Sequence, residues 1–486
     1  MNMYIDASVA ENVALKNDVT INYQTVDKID LIAEAEIASQ SVEKTDVILH
    51  TFDWPYSEVA TRAEEIASLG YCSVLVSPPM KSHKLEEGTD WWQRYQPQDY
   101  RVIDNQLGNT EDFFNMIKAL CRHGVHVYAD VVFNHMANEF YKRADLQYPS
   151  DKDIEMYQHG WDEYQSQLLF GDLSQPLFGE EHFVEAFGIS DWKDPWQVQN
   201  GRITGGLGDP GLPTLRVCDY VVEQQKCYLK ALKGMGVKGF RIDAAKHMTM
   251  DHLRQVWTDD IAEGVHIFGE IITDGGVTKE EYETFLQPYL QHTNLSAYDF
   301  PLFHTLFETF QRHGSMKSLV DPYCFGQALS NNRAITFAIT HDIPNNDGFR
   351  GLLLNEEEEW LAYCYILGRD GGVPLVYSDL DTSGILDAGG KPRWKGAWKD
   401  PRMAKMIAFH NQVHGEHMIP VLVDDDLIVF ARGEKGIIAI NKSESAQVVD
   451  FKWHRNMRDL LGDEVYPLES GELNLIIDGK SCLMLV

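Results

Sequence analysis

From Asp46 onward the chain repeats one unit: a short apolar run, a stretch with one apolar helical face, a glycine, and another short apolar run. Val47 to Phe52 is such a run. Ser57 then caps an expected helix whose Val59, Ala63, Ile66 and Ala67 share a face, and Gly70 stops it before the strand-like Ser73 to Ser77. Farther on, Thr110 caps an expected helix with Phe113, Ile117 and Leu120 on one side, Gly124 ends it, and Val125 to Phe133 is the third strand. Strand, helix, glycine, strand is the βαβ pattern, which commits a chain to a parallel sheet covered by helices.

The rhythm breaks at His135 and resumes near Asp219. Residues 135–214 hold few periodic runs and many aromatic residues, with Gly and Pro throughout, and read as an irregular subdomain inserted after strand three. Five further strands follow: Val237–Asp243, Val265–Ile271, Leu295–Phe300, Ala334–Thr340 and Val373–Tyr377. Eight strands on about 285 residues, once the insert is set aside, match the roughly 250 residues of a (β/α)8 TIM barrel. The expected architecture is an α/β barrel over 46–134 and 215–410 and an inserted subdomain over 135–214. A C-terminal β-sandwich over 411–486 follows from runs such as Leu427–Phe430 and Gly436–Ile440. Residues 1–45 are polar and read as an extension of unknown role.

Composition narrows the partners. The 486 residues carry 42 Lys and Arg against 74 Asp and Glu, a net charge of −32. That balance repels phosphate backbones and anionic lipid, so neither nucleic acid nor a membrane is expected, and a neutral ligand is favoured. No run approaches the roughly 18 apolar residues of a membrane span. The seven cysteines lack any CxxC pair, which argues against a zinc finger or a disulfide framework. A cytoplasmic monomer is expected, because the first 20 residues do not read as a secretory leader; a leader removed earlier would make the protein secreted.

In a barrel, chemistry sits where strands end at their C-terminal side. Strand three ends in Asp130…Asn134-His135, strand four in Arg241-Ile242-Asp243, strand five in Gly269-Glu270 and strand seven in Thr340-His341-Asp342. Strand alternation puts Arg241 and Asp243 on one face, where the guanidinium favours an ionised carboxylate. A structural ion pair gives the same pattern. Glu270 follows an apolar run and faces other acids, so its carboxyl is expected to be raised and to hold a proton; taken singly, it also reads as an ordinary glutamate at a strand end. One attacking and one protonating carboxyl are the equipment for splitting a glycosidic bond.

These stretches, with Gly239-Phe240-Arg241-Ile242-Asp243-Ala244-Ala245-Lys246-His247, resemble in order and spacing the four conserved segments of the α-amylase family, glycoside hydrolase family 13. The segment Trp91-Trp92-Gln93-Arg94-Tyr95-Gln96-Pro97, preceded by Val76-Ser77-Pro78-Pro79, resembles animal-type members more narrowly. The resemblance implies Asp243 as nucleophile, Glu270 as acid/base and Asp342 as the carboxylate that holds sugar hydroxyls. It implies Arg241 orienting Asp243, His135 and His341 on the sugar at the cleavage point, and Lys246 and His247 on the leaving-group side. Trp91, Trp92, Tyr95 and Gln96 would line the other side, with aromatic faces against the pyranose.

The resemblance also implies a calcium ion held by Asn134 and the carbonyl of His247. The aspartate that completes the family's set is Thr214 here, in Leu212-Pro213-Thr214-Leu215, and Asp209 is the candidate replacement. No chloride is expected, since Thr340 stands where chloride-binding members have asparagine and Val373–Tyr377 lacks Arg or Lys. The run Glu356–Glu359 reads as a solvated helix face and Asp424–Asp426 as a turn. Gly205-Gly206-Leu207-Gly208 and Gly371-Gly372 lack the Lys-Ser/Thr of a phosphate loop.

The expected activity is retaining hydrolysis of internal α-1,4-glucosidic bonds in starch, glycogen or maltooligosaccharides. One rival is an α-glucan transglycosylase using the same residues with a sugar acceptor. The other is a non-catalytic carbohydrate-binding barrel, against which stand the three acids.

Overall fold

In a computed structural model of the protein, which describes residues 44–85 and 88–486, eight short strands close on one another. They are β1 (Ile48–Thr51), β2 (Ser73–Val76), β3 (His126–Val131), β4 (Gly239–Ile242), β5 (His266–Gly269), β6 (Ser296–Tyr298), β7 (Ala334–Phe337) and β8 (Val373–Ser378). Each pairs in parallel with its sequence neighbours, and β8 returns to β1. The eight expected runs are therefore the strands of a closed (β/α)8 barrel. They were legible because a parallel strand is covered on both faces and reads as a continuous apolar run. The expected extension lies outside the described residues apart from Lys44 and Thr45.

The helix starts differ from expectation. Ser57 lies inside the helix Tyr56–Thr61, whose cap position is Pro55. The cap of α1 (Thr110–Arg122) is Asn109, whose side chain accepts from the Asp112 N–H while Asp112 accepts from the Asn109 N–H. Thr110, one residue later, instead accepts from the Ile103 N–H and donates to the Gln167 carbonyl. Gly124 does end the unit, turning into β3 with φ +65°, a conformation that favours glycine.

After β3 the chain leaves the barrel and comes back beside itself. His135 faces Thr214 across an antiparallel bridge, the Met136 N–H donates to the Pro213 carbonyl (3.0 Å) and the Leu215 N–H to the Asn134 carbonyl (2.9 Å). Between these points lie helices α2 (Asp151–His159), closed by a Ser150–Asp153 capping box, and α3 (Pro195–Asn200), capped by Asp194. The barrel resumes with α4 (Asp219–Met235).

Helices α5 (Glu356–Gly368) and α6 (Pro401–Val413) complete the barrel. The four glutamates opening α5 suit the positive end of a helix, but Glu359 is not solvated. It is buried and accepts from Arg393 (2.7 Å) and the Trp394 indole (3.0 Å). Helical periodicity turns this fourth glutamate inward, which a charge run alone does not reveal.

Beside a two-stranded ribbon of Met457–Arg458 and Val465–Tyr466, seven further C-terminal strands follow: β9 (Met418–Val423), β10 (Leu427–Arg432), β11 (Gly436–Asn441), β12 (Gln447–Lys452), β13 (Leu468–Glu469), β14 (Glu472–Ile477) and β15 (Ser481–Leu485). They form sheets ordered β9-β10-β11-β15 and β12-β14-β13. Leu427, Val429, Ile437 and Ala439 pack with Val449, Leu473, Leu475 and Ile477 between the sheets. The alternate residues Ile428, Phe430, Ile438 and Ile440 join the barrel's own core. Gly368 permits this contact, since a Cβ there would lie 2.9 Å from Ile438 Cγ1. Asp424–Asp426 forms the link between β9 and β10. Among the described residues, no helix is long and apolar enough to cross a membrane.

Candidate active site

The ends of β3, β4 and β5 place three side chains around one guanidinium. Arg241, on β4, has no exposure, and its register partner on β3 is Asp130. Its Nη1 donates to Asp130 (2.6 Å) and to Asp243 (3.1 Å), and its Nη2 donates to Glu270. Glu270 also accepts from the Ala244 N–H at 3.1 Å. Ile242 pairs with Gly269, so the next residues, Asp243 and Glu270, stand side by side. Asp342, at the first turn after β7, has His341 Nε2 3.4 Å from its carboxylate and lies within 4.8 Å of a Glu270 oxygen.

Burial pushes the Asp243 carboxyl well above the usual range, Arg241 opposes this, and the neighbouring acids reinforce it. Asp342 is raised for the same reasons, with Glu270 the largest charge against it. Asp130 is pushed up to about 6 by burial, against the pull of Arg241. From sequence, Arg241 served Asp243 alone and the raised acid was Glu270; the structure divides the guanidinium among three carboxyls. Four carboxyls near one cation cannot all ionise cheaply. Crowding of this kind favours holding a proton among the acids, which suits acid catalysis.

Above these acids opens a cavity of about 770 Å³. Trp91, Trp92, Tyr95, Gln96, His135, Lys246, His247 and His341 all line it, with Asp243, Glu270 and Asp342 at its floor. Arg241 lies beneath. The His341 ring lies near-parallel to Phe52 (4.5 Å, 18°) and to Tyr95 (5.3 Å, 16°), which are themselves 6.5 Å apart, and Trp91 meets it edge-on. The Tyr95 hydroxyl donates to Asp130 (3.0 Å), so the stacking ring is tied to the cluster around Arg241.

Several donors expected to meet sugar are engaged within the protein. His135 Nε2 donates to the Tyr95 carbonyl (3.0 Å), and burial lowers its pKa to about 4, so the ring is neutral. His247 Nδ1 donates to the Val198 carbonyl (2.9 Å), and its pKa is also about 4. Lys246 pairs with Glu281 at 3.0 Å, and Gln96 accepts from the Asn138 N–H. Sequence reading placed Asp130 in a resembling stretch without giving it a role, and did not select Asn138, Trp192, Glu281 or Phe349 for the site. Asp130 carried a signal, an acid within an apolar strand. The cavity-lining others come from segments whose course periodicity does not fix.

The residues expected to hold calcium do not make a cage for it. At the position of the missing aspartate, the Thr214 hydroxyl donates to the Gly201 carbonyl (3.0 Å). Asp209 is engaged elsewhere, its Oδ1 accepting from the Asn138 amide (2.7 Å) and the Gly211 N–H (2.9 Å). What remains, the Asn134 side chain and the His247 carbonyl, is neutral. Calcium affinity depends on ligand charge, so these donors would hold the ion weakly.

The chain's residues 58–336 match the family model described as "Alpha amylase, catalytic domain". An α-amylase of Aeromonas hydrophila is 47% identical over 438 residues, covering 89% of this chain and 93% of that one. Among solved structures, α-amylase I of Eisenia fetida superposes with a TM-score of 0.71 at 21% identity, over 90% of this chain and 96% of its own. A cyclomaltodextrin glucanotransferase gives 0.64 at 18% identity, over 91% and 99%. The two superpositions speak for the fold, whereas the catalytic-domain match and the Aeromonas relative speak for descent. With an acid cluster at its strand ends and an aromatic cleft above them, the chain belongs to the α-amylase family of glycoside hydrolases.

Proposed function

We propose that the protein is a retaining hydrolase that cuts internal α-1,4-glucosidic bonds of starch, glycogen or maltooligosaccharides. The observation that carries this is the register of β4 and β5, which makes Asp243 and Glu270 lateral neighbours. Adjacent strands lie about 4.8 Å apart. Both carboxyls accept from the one Arg241 guanidinium, Asp243 from Nη1 and Glu270 from Nη2, and a closely set pair of this kind is what a retaining enzyme uses. The name of the 47% identical relative supports the substrate class.

In this reading an Asp243 oxygen attacks C1 of the sugar while the C1–O bond breaks and Glu270 gives its proton to the departing oxygen. Water then attacks C1, its proton passes to Glu270, and the Asp243 ester bond breaks. Asp342 and His341 hold hydroxyls of the reacting sugar, and the Tyr95 face covers its C–H side. Arg241 keeps both reacting carboxyls in place.

The test follows the anomeric form of the first product by NMR during maltoheptaose cleavage. Retention predicts the α-anomer, and the β-anomer would overturn the assignment. Longer chains from maltotetraose, with little new reducing sugar, would identify a transglycosylase instead.

A further inference from the structure

The opposite mouth of the barrel, where the strands begin, holds a second cavity of about 330 Å³. Ser296, Ala334 and Val373 of β6, β7 and β8 border it, together with Asp46, His410, His414 and Glu416. It shares no lining residue with the catalytic cleft.

His410 lies in the last turn of α6, His414 is the residue that follows its end, and their rings lie 5.6 Å apart. His410 is buried, and its Nδ1 lies 3.1 Å from the Leu367 carbonyl. A carbonyl only accepts, so Nδ1 carries a ring proton and Nε2 is turned toward Asp46, 2.7 Å from its Oδ1. His414 Nδ1 approaches the same oxygen at 3.9 Å. One nitrogen from each ring and one carboxylate oxygen fall within 4.8 Å of one another.

From this geometry we propose that Asp46, His410 and His414 form a Zn²⁺ site at the barrel's N-terminal mouth. Zinc bonds of about 2.0–2.1 Å in a tetrahedron put ligand atoms roughly 3.3 Å apart. The separations of 2.7 and 3.9 Å bracket that value, and the half-exposed His414 ring has room to turn. Two imidazoles with one carboxylate suit zinc, whereas calcium and magnesium call for oxygen ligands. The Leu367 carbonyl on the non-ligating nitrogen is the outer contact that fixes a metal-binding histidine's tautomer. The cavity leaves the fourth position to water. A simple Asp46–His410 ion pair accounts for two of these groups and not for the convergence of the second imidazole.

Such an ion would tie Asp46, two residues before β1, to the end of α6, closing most of the barrel sequence into one loop. A clip of that kind stabilises the folded chain. The test uses the full chain after chelator treatment, measuring Zn²⁺ by equilibrium dialysis and thermal unfolding with and without the metal. Wild type is expected to bind one equivalent and to melt higher with Zn²⁺. His414→Ala and Asp46→Asn should each weaken binding by more than about tenfold and lose the thermal shift, with starch cleavage unchanged. Failure of folded wild type to take up zinc, or equal uptake by wild type and both variants, would overturn the site.

Discussion

Arg241, with no exposure, must reach carboxyls at the ends of both flanking strands at once. A planar fork can do this, whereas an ammonium serves as a point charge. Arg241→Lys is therefore expected to cost about 3 kcal/mol or more of stability and to lower kcat at least about a hundredfold, measured by denaturant melts and starch assays. If Asp243 is the nucleophile of the proposed double displacement, Asp243→Asn should lower turnover by about four orders of magnitude or more. The same variant should melt higher than wild type at neutral pH. The Asp243 carboxyl is raised in the folded state, so the folded protein binds more protons than the unfolded one above pH about 3.9, and wild-type stability falls as pH rises through the folded value. The advantage of the variant should therefore be small at pH 4 and grow toward pH 8. An advantage that shrinks with pH would contradict the crowding of acids around Arg241. Alternation along β4 made the Arg241–Asp243 pair legible in the sequence. The part played by Asp130 depended on the pairing of β3 with β4, which alternation does not supply.

The eight strands were legible as elements for the same reason that they are stable: both faces are covered. Helix starts were less so, because Ser, Thr, Asn and Asp all cap, and only geometry selects Asn109 over Thr110. Glu359 in α5 is the clearest misreading, a buried acid within what looks like a solvated run. Glu359→Ala leaves the Trp394 indole without its acceptor and Arg393 with only the Leu354 carbonyl and is expected to cost about 3 kcal/mol, whereas Glu357→Ala on the same helix should stay within about 0.5 kcal/mol. Paired urea melts would separate the two. At the root of the insert, the bond from Thr214 to Gly201 replaces a charged ligand with a neutral one. Calcium added back to chelator-treated enzyme is accordingly expected to leave kcat within about twofold, since neutral donors hold a hard cation weakly. A calcium-dependent rise in activity would show that the donors rearrange around the ion.

At the scale of the molecule, barrel and sandwich are not separable bodies. Ile428, Phe430, Ile438, Ile440 and Met484 are buried in the barrel's core cluster. At about 1.5–3 kcal/mol each, their loss would remove on the order of 10 kcal/mol, comparable with the about 5–15 kcal/mol that holds a domain folded. A chain ending at Val413 is therefore expected not to fold, and calorimetry of the whole protein should give one cooperative transition. Two resolved transitions would contradict the shared core. The long insert behaves differently. It leaves at His135 and returns at Thr214 through a neck only a few residues wide, while the acids sit on strands whose pairing does not pass through it. The reaction and the choice of sugar chain can thus vary separately. Grafts between these two positions should retune product length while the anomeric outcome stays the same, so diversity in this lineage can accumulate at the neck with the bond-breaking machinery inherited intact.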